Sequence, residues 1–365
     1  MKKNIILLFM LLTLFTACDN RNTNQENING DNPNITSTVK ASPSTIAQNE
    51  KVSDYFSIAK DTHMKYKGIG NEYAQYDLYV EYVSDTRLQL KKINGGTDTV
   101  AVYQLTDDMI KQIYSKGEVY YRYDFTELSN MDEIILKAPI AVGTKWNLSD
   151  GSSRSITAVD KDIKTQAGDF KALEVTTIRK ESTQKNYYVK EVGLVRSDFN
   201  SNGSTDLITS ELEIVEKGVS YNQTIRFYFP EFSKERIVYI DRNVDINSNQ
   251  DMKFKFQKEL KTIPSGGGLS AVLTKNTQIL SCKVDDSKGI VTVDLSSDFI
   301  KEMNAGSSFE SMLLKSITNT FGGYYGVTKV IITVGGKPYS SGHILMGTGE
   351  YFTVENKGIK EYKQS

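Results

Sequence analysis

Asp294 and Asp298, four residues apart, are the carboxylates of this sequence best spaced for acid–base chemistry. Glycan hydrolysis can run on two acids roughly 5 to 10 Å apart. The same residues also read as turn formers, because Asp or Ser over 294–298 suits a cap ahead of Phe299 and Ile300. The capping role is the stronger reading. Other reagents are scarce. The chain has two histidines, His63 and His343, with no zinc spacing, and two cysteines, Cys18 and Cys282. Cys282 lies in Ile279-Leu280-Ser281-Cys282-Lys283-Val284, whose alternation places it with Leu280 and Val284 on the apolar face of a strand. It reads as a small core residue rather than a reactive thiol.

Two segments imitate calcium loops. In Asp198-x-Asn200-x-Asn202-Gly203-x-x-Asp206 oxygens alternate and a glycine stands sixth, but position twelve is Thr209, where a bidentate Glu is needed. Asp245-x-Asn247-x-Asn249 lacks even the glycine. Both read as solvated loops. Ser265-Gly266-Gly267-Gly268 follows Pro264 and lacks the lysine of a phosphate loop, so it reads as a flexible turn. The expectation is a protein that is not an enzyme and needs neither cofactor nor metal.

The elements that carry these residues fall into two folded regions, 51–218 and 222–354, with a polar tail over 355–365. Lys plus Arg (44) nearly balances Asp plus Glu (45), which gives no field for nucleic acid. Twenty-one tyrosines and 15 phenylalanines against one tryptophan favour half-buried sheet. In the first region, segments at Tyr76–Val83, Arg87–Ile93, Val100–Leu105, Val119–Tyr123, Ser155–Val159, Lys171–Arg179, Asn186–Tyr188 and Leu207–Val215 alternate between turn signals. They predict a mainly antiparallel curved sheet or half-barrel. Asp107–Tyr114 is its best helical stretch.

The second region predicts an α+β sandwich, so the whole chain is expected to be α+β. Its strands are Thr224–Phe229, stopping at Pro230, then Arg236–Ile240, Ile279–Val284, Ile290–Leu295 and Val327–Val334. Asp251–Leu260 fits helix and strand equally. Ser307–Phe321 is helical by its spacing of Phe309, Met312, Leu313, Ser316, Ile317, Thr320 and Phe321. Ser307 and Glu310 form a capping-box pattern, and Gly322-Gly323 reads as the stop.

At the start, Met1-Lys2-Lys3 precedes an apolar run from Ile5 to Phe15, too short to span a bilayer but suited to a signal-peptide core. It ends Leu14-Phe15-Thr16-Ala17-Cys18, which resembles the lipobox of bacterial lipoprotein precursors. The resemblance implies cleavage after residue 17 and a diacylglycerol on the Cys18 thiol. The protein would then be anchored at the outer face of the cytoplasmic membrane. Loss of Lys2 and Lys3 takes the formal charge from −1 to −3. The stretch over 18–50, rich in Asn, Thr, Ser and Gln and free of aromatics, reads as a disordered tether.

Two further resemblances follow. Pro139 to Trp146, with Gly168-Asp169-Phe170-Lys171-Ala172 and Tyr187-Tyr188 through Gly193-Leu194-Val195, resembles an aromatic-rich sheet domain of exported bacterial lipoproteins. A groove for lipid or glycan, lined by Trp146 and the tyrosines, is one implication; plain core filling is the stronger one. Residues 225–338 resemble the GerMN (sporulation and spore germination) domain. The resemblance rests on Tyr228-Phe229-Pro230, Val291-Thr292-Val293-Asp294-Leu295-Ser296 with Phe299, the helix to Thr320, and Gly336-Lys337-Pro338. It implies an envelope lipoprotein of a spore-forming bacterium, acting in sporulation or germination. Its partner would be peptidoglycan or a septal protein.

Overall fold

The computed structural model describes residues 50–56, 58–263 and 267–363. The expectations for the signal peptide, Cys18, the tether as far as residue 49 and the Ser265-Gly266 part of the predicted turn lie outside these residues. Among the described residues, no helix is long and apolar enough to cross a membrane.

Twelve strands build one antiparallel sheet. They are β1 (Thr62–Ile69), β2 (Tyr76–Val83), β3 (Arg87–Asn94), β4 (Asp98–Leu105), β5 (Met109–Gly117), β6 (Glu133–Lys137), β7 (Lys145–Asn147), β8 (Ser153–Thr165), β9 (Gly168–Ile178), β10 (Ser182–Val189), β11 (Gly193–Ser201) and β12 (Leu207–Lys217). Their order, β6-β5-β4-β3-β2-β1-β12-β11-β10-β9-β8-β7, leaves the sheet open between β6 and β7. Side chains bridge that gap. The Trp146 indole N–H (β7) donates to the Ile134 carbonyl (β6) at 3.0 Å, and Arg154 Nη1 (β8) donates to the same oxygen at 2.6 Å. The sheet is therefore rolled far enough for its ends to meet through side chains without a ladder. One face of it holds a hydrophobic cluster of Leu88, Leu90, Ile110, Trp146, Val175, Val195 and their neighbours.

The rest of the chain gives β13 (Tyr221–Glu231), β14 (Arg236–Ile246), α1 (Met252–Lys261), β15 (Ile279–Asp285), β16 (Ile290–Leu295), α2 (Asp298–Met303), α3 (Ser307–Tyr325) and β17 (Lys329–Val334). Short strands β18 (Lys337–Pro338), β19 (Phe352–Thr353) and β20 (Lys360–Glu361) complete it. Strands β16 and β17 pair in parallel, with α2 and α3 forming the crossover that parallel pairing requires. Helix α3 buries Leu313, Leu314, Ile317, Phe321 and Tyr325 against β13, β16 and β17. The overall class is α+β, as the sequence predicts.

The hydrophobic cluster around α3 also contains Val100, Val102, Tyr114, Val119, Tyr121 and Phe125, so residues on both sides of 218–222 share it. This explains one misreading. Asp107–Tyr114 is not helical but lies mostly in β5. Ile110 and Tyr114, spaced as if on one helical face, enter different clusters, because a register shift at Ile113 turns the strand over. Val119–Tyr123, predicted as strand, runs without regular structure and covers β3. Strand β13 continues through Pro230, which an edge strand tolerates because the missing N–H faces away from its neighbour.

Smaller departures have equally local causes. Asp251–Leu260 resolves as α1, with Asp251 as N-cap accepting from Lys253 N at 2.9 Å. Leu280 is exposed, because the register slips between Ile279 and Ser281; Cys282 and Val284 remain partly buried against the core. The capping box does not form: Gly306 is the N-cap, and Glu310 faces elsewhere. Helix α3 also runs past Gly322-Gly323 to a left-handed Gly326. A Cβ on Gly322 would stand 2.2 Å from Val354 Cγ2, so that glycine permits close packing rather than a stop.

Candidate functional site

The predicted carboxylate pair is used by the fold. Asp294 Oδ1 on β16 accepts from Thr333 Oγ1 at 2.7 Å and from Gly336 N at 2.8 Å, tying β16 to the turn after β17. Asp298 Oδ2 accepts from Ser296 Oγ at 3.1 Å at the start of α2. Ser297, the N-cap, makes no side-chain cap bond, while Phe299 N bonds Ser296 O at 3.1 Å. The pair holds two separate turns rather than a shared reaction centre. Burial pushes the Cys282 thiol up to about 12, against a smaller downward pull from Tyr325. A thiol so protonated at neutral pH is a poor nucleophile.

Neither histidine joins a reactive set. His63 clamps three strands, with Nδ1 2.7 Å from Glu216 and Nε2 2.7 Å from Asp77, and its ring stacks on Tyr79 at 4.4 Å. His343 Nδ1 lies 2.8 Å from Glu310 Oε2. Glu310 also accepts from Tyr339 Oη at 2.7 Å and from Ser341 Oγ. Burial pushes the Glu310 pKa up, but the bonds from Ser341, Tyr339 and His343 outweigh it, so the carboxyl sits below its usual range. Glutamate stands between serine and histidine here, so no Ser–His relay exists. The cluster pins the 339–347 loop to α3.

The two calcium-like segments have other partners. Asp198 Oδ1 accepts from Arg196 Nε at 2.9 Å and from Thr209 Oγ1 at 2.8 Å, within the β11–β12 hairpin. Asn249, in a left-handed conformation at φ 62°, exchanges two hydrogen bonds with the Val83 backbone, at 2.7 and 2.8 Å. The 245–249 loop is thus a clasp on β2 rather than a free loop. Among the described residues no cluster of three His, Cys, Asp or Glu is arranged to hold a metal.

A concave, aromatic-lined region lies inside the rolled sheet. A cavity of about 570 Å³ is lined by Phe56, Tyr66, Tyr76, Tyr103, Tyr188 and Lys92. Tyr66 and Tyr76 stack at 4.3 Å, and the Phe56 ring stands 5.2 Å from Tyr103 and 5.6 Å from Tyr188. The Tyr66 hydroxyl is committed to the Leu194 carbonyl at 2.6 Å. Lys92 Nζ sits 4.0 Å over the Tyr76 ring, and burial lowers its pKa. Trp146 does not line this cavity; it is core and closes the sheet. Of the residues that the sequence reading put at the groove, Tyr188 lines the cavity, while Tyr187 and Trp146 do not.

What sequence reasoning missed is a buried polar layer on the other face of the sheet. Gln89 and Lys91 of β3, with Glu81 of β2, are fully buried beneath residues 119–125. Gln89 Nε2 donates to Glu81 at 2.7 Å and to Tyr123 O at 2.8 Å, while its Oε1 accepts from Phe125 N at 2.8 Å. Lys91 Nζ donates to Val119 O at 2.6 Å and lies 3.3 Å from Asp98. Arg122, 1% exposed, donates through Nη2 to the carbonyls of Glu81 and Asn247. Its backbone N–H reaches the Tyr324 hydroxyl on α3 at 2.9 Å. The Leu88-Gln89-Leu90-Lys91 alternation, which usually marks a solvated face, was the available signal.

One comparison with known proteins locates its match along the chain. Residues 226–340 match the Germane family model, described as sporulation and spore germination. The search of curated proteins gave no match. Among solved structures, the tandem GerMN domains of the sporulation protein GerM from Bacillus subtilis align at 17% identity and TM-score 0.28, covering 45% of this chain and 52% of that one. The chain thus spans about half of that tandem structure. Its first GerMN domain alone aligns at 16% identity and TM-score 0.26, over 34% of this chain and 94% of that one. A provisionally assigned lipoprotein from Clostridium perfringens aligns at 18% identity and TM-score 0.25, over 38% and 90%. By its family match, the segment from Arg226 to Ser340 is a GerMN-like domain.

Proposed function

We propose that this protein is a lipoprotein held by a diacylglycerol on Cys18 at the outer face of the cytoplasmic membrane, acting in sporulation or spore germination. Its GerMN-like domain binds peptidoglycan or a septal protein and makes or breaks no bonds. The observation that carries this reading is the family match over residues 226–340. It is supported by the structural roles of Asp294, Asp298, Glu310 and Cys282, the candidate acids and thiol of that domain, which hold turns, a loop and the core. The anchor rests on the Ala17-Cys18 motif and the polar stretch that follows it.

The anchor is tested by detergent phase separation of cells producing the wild-type chain and Cys18→Ser. Wild type is expected in the detergent-rich phase, with the variant in the aqueous phase; identical partitioning of the two would refute the anchor. A fluorescent fusion followed through sporulation tests the role, with enrichment at the septum or forespore as the expected result.

A second reading gives the lipid- or glycan-binding role to the N-terminal sheet. It is favoured by the tyrosine-lined cavity of about 570 Å³, a volume within the usual range for small-molecule sites. Native mass spectrometry of the exported protein is expected to show a bound amphiphile or sugar on this reading. An empty protein would remove it.

A further inference from the structure

We propose that a second cavity, between the buried polar layer of β2–β3 and the α1–β15 side of the GerMN-like domain, binds a small zwitterion carrying an α-amino carboxylate. The cavity has a volume of about 570 Å³, and both halves of the chain line it. It is distinct from the tyrosine-lined cavity and does not depend on wall binding or on the lipid anchor.

The argument begins with two guanidinium groups. Arg122 and Arg87 both line this cavity, and among the described residues the Nε–H of each is buried without a hydrogen-bond partner. Arg122 is 1% exposed, and its Nη2 is already committed to the Glu81 and Asn247 carbonyls. Among the described residues the Arg87 side chain makes only a long Nη1 bond, 3.3 Å, to Thr86 O. Buried charged donors left unpaired are costly, and native proteins almost always satisfy them. Both side chains line one cavity, and Arg122 Nη1 and Arg87 Nη2 have no hydrogen-bond partner among the described residues, so these donors call for an acceptor that the chain does not supply. A carboxylate fits, since guanidinium pairs with planar oxyanions through parallel N–H bonds.

The opposite charge is present as well. Asp124, Glu127 and Asp251 line the same cavity. Asp251 spends Oδ1 on the α1 cap and has Lys253 Nζ 3.4 Å from Oδ2. Asp124 is occupied by Thr126. Glu127 has no hydrogen bond or ion pair among the described residues. Three carboxylates would repel a multiply charged anion such as phosphate. They would attract an ammonium group held next to the bound carboxylate. Tyr82, Tyr123, Tyr325 and Met252 supply the apolar remainder of the wall, suited to an aromatic or aliphatic side chain. An α-amino acid offers all three features in one small molecule. The same chemistry is offered by the end of a short peptide.

Titration calorimetry on the full-length chain in detergent tests this, with free L-phenylalanine, alanyl-phenylalanine, N-acetyl-phenylalanine, phenylalaninamide and inorganic phosphate as probes. Saturable binding of phenylalanine or of the dipeptide is expected, and whichever is tighter identifies the source as a free amino acid or a peptide end. Binding should weaken at least tenfold when the ammonium is acetylated or the carboxylate amidated. Arg87→Gln should weaken it at least tenfold, and Glu127→Gln to a smaller degree, with the melting transition of each variant unchanged. Asp251→Asn retains a capping side chain and tests the ammonium subsite without unfolding α1. Absence of saturable binding for both phenylalanine and the dipeptide overturns the proposal. So does phosphate binding as tight as theirs, or full affinity in folded Arg87→Gln.

Discussion

Glu81 at the junction and Glu310 under the 339–347 loop are both fully shielded from water, yet they are held in opposite ways. Glu310 receives hydrogen bonds from Tyr339, Ser341 and His343, which favour its charged form more than burial penalises it. Glu81 receives one, from Gln89, and its Oε1 has no partner. Burial raises its pKa despite the attraction of Lys91 and Arg122. Depth alone therefore does not set the charge state of a carboxyl; the number of donors aimed at it does. The GerMN-like domain satisfies its buried charge within itself, whereas the junction spreads a partly satisfied layer across two regions of the chain.

That contrast can be broken by substitution. The largest effect is expected from Arg122→Met, which unpairs the Glu81 and Asn247 carbonyls and strips Glu81 of a counter-charge. A loss of about 4 kcal/mol in denaturant unfolding is predicted, in line with breaking buried charged contacts. Glu310→Gln comes next, at about 2 kcal/mol, because an amide serves fewer of the three donors. Glu81→Gln should be smallest, neutral or stabilising by up to about 1 kcal/mol, since it removes a buried charge and keeps an acceptor for Gln89. If Glu310→Gln is as harmless as Glu81→Gln, the contrast fails.

The pH dependence sharpens it, with opposite signs. The folded pKa of Glu310 is depressed, so its contribution is present above the ordinary glutamate value of about 4.3 and is lost as pH falls through the folded value. Glu310→Gln should flatten the acid limb of the stability curve. The folded pKa of Glu81 is raised, so its contribution is complete below the ordinary value and is lost as pH rises through the folded one. Glu81→Gln should remove a decline on that side. Thermal melts from pH 3 to pH 8 distinguish the two outcomes.

Much of this arrangement is legible in the residues. The hairpin at Asp285–Gly289, the α3 periodicity and the short strands follow from local pattern, because one buried face imposes one period. The Leu88-Gln89-Leu90-Lys91 alternation is equally clear, but it marks a strand with one apolar face without saying what covers the other. Here residues 119–125 and the 247–249 clasp cover it, contacts made across more than thirty positions of sequence. Bulges hid the rest: at Ile113 and Leu280 one extra residue reverses facing, which no periodicity can register. Glu310 resembled a cap because spacing predicts only local partners, and its true partners lie about thirty residues away. At the two cavities, Tyr188 was named from sequence, while Lys92, Arg87 and Arg122 were not.

The central claim, that the GerMN-like domain recognises the cell wall or a septal partner without performing chemistry, is tested most directly on purified peptidoglycan. The full-length chain in detergent is incubated with sacculi from sporulating cells and with the septal membrane fraction, and both pelleted protein and released sugar or peptide fragments are measured. Saturable co-sedimentation with one of these fractions, and no fragment release above buffer, is the predicted result. Fragment release abolished by Asp298→Asn, or failure to sediment with either fraction, would contradict it.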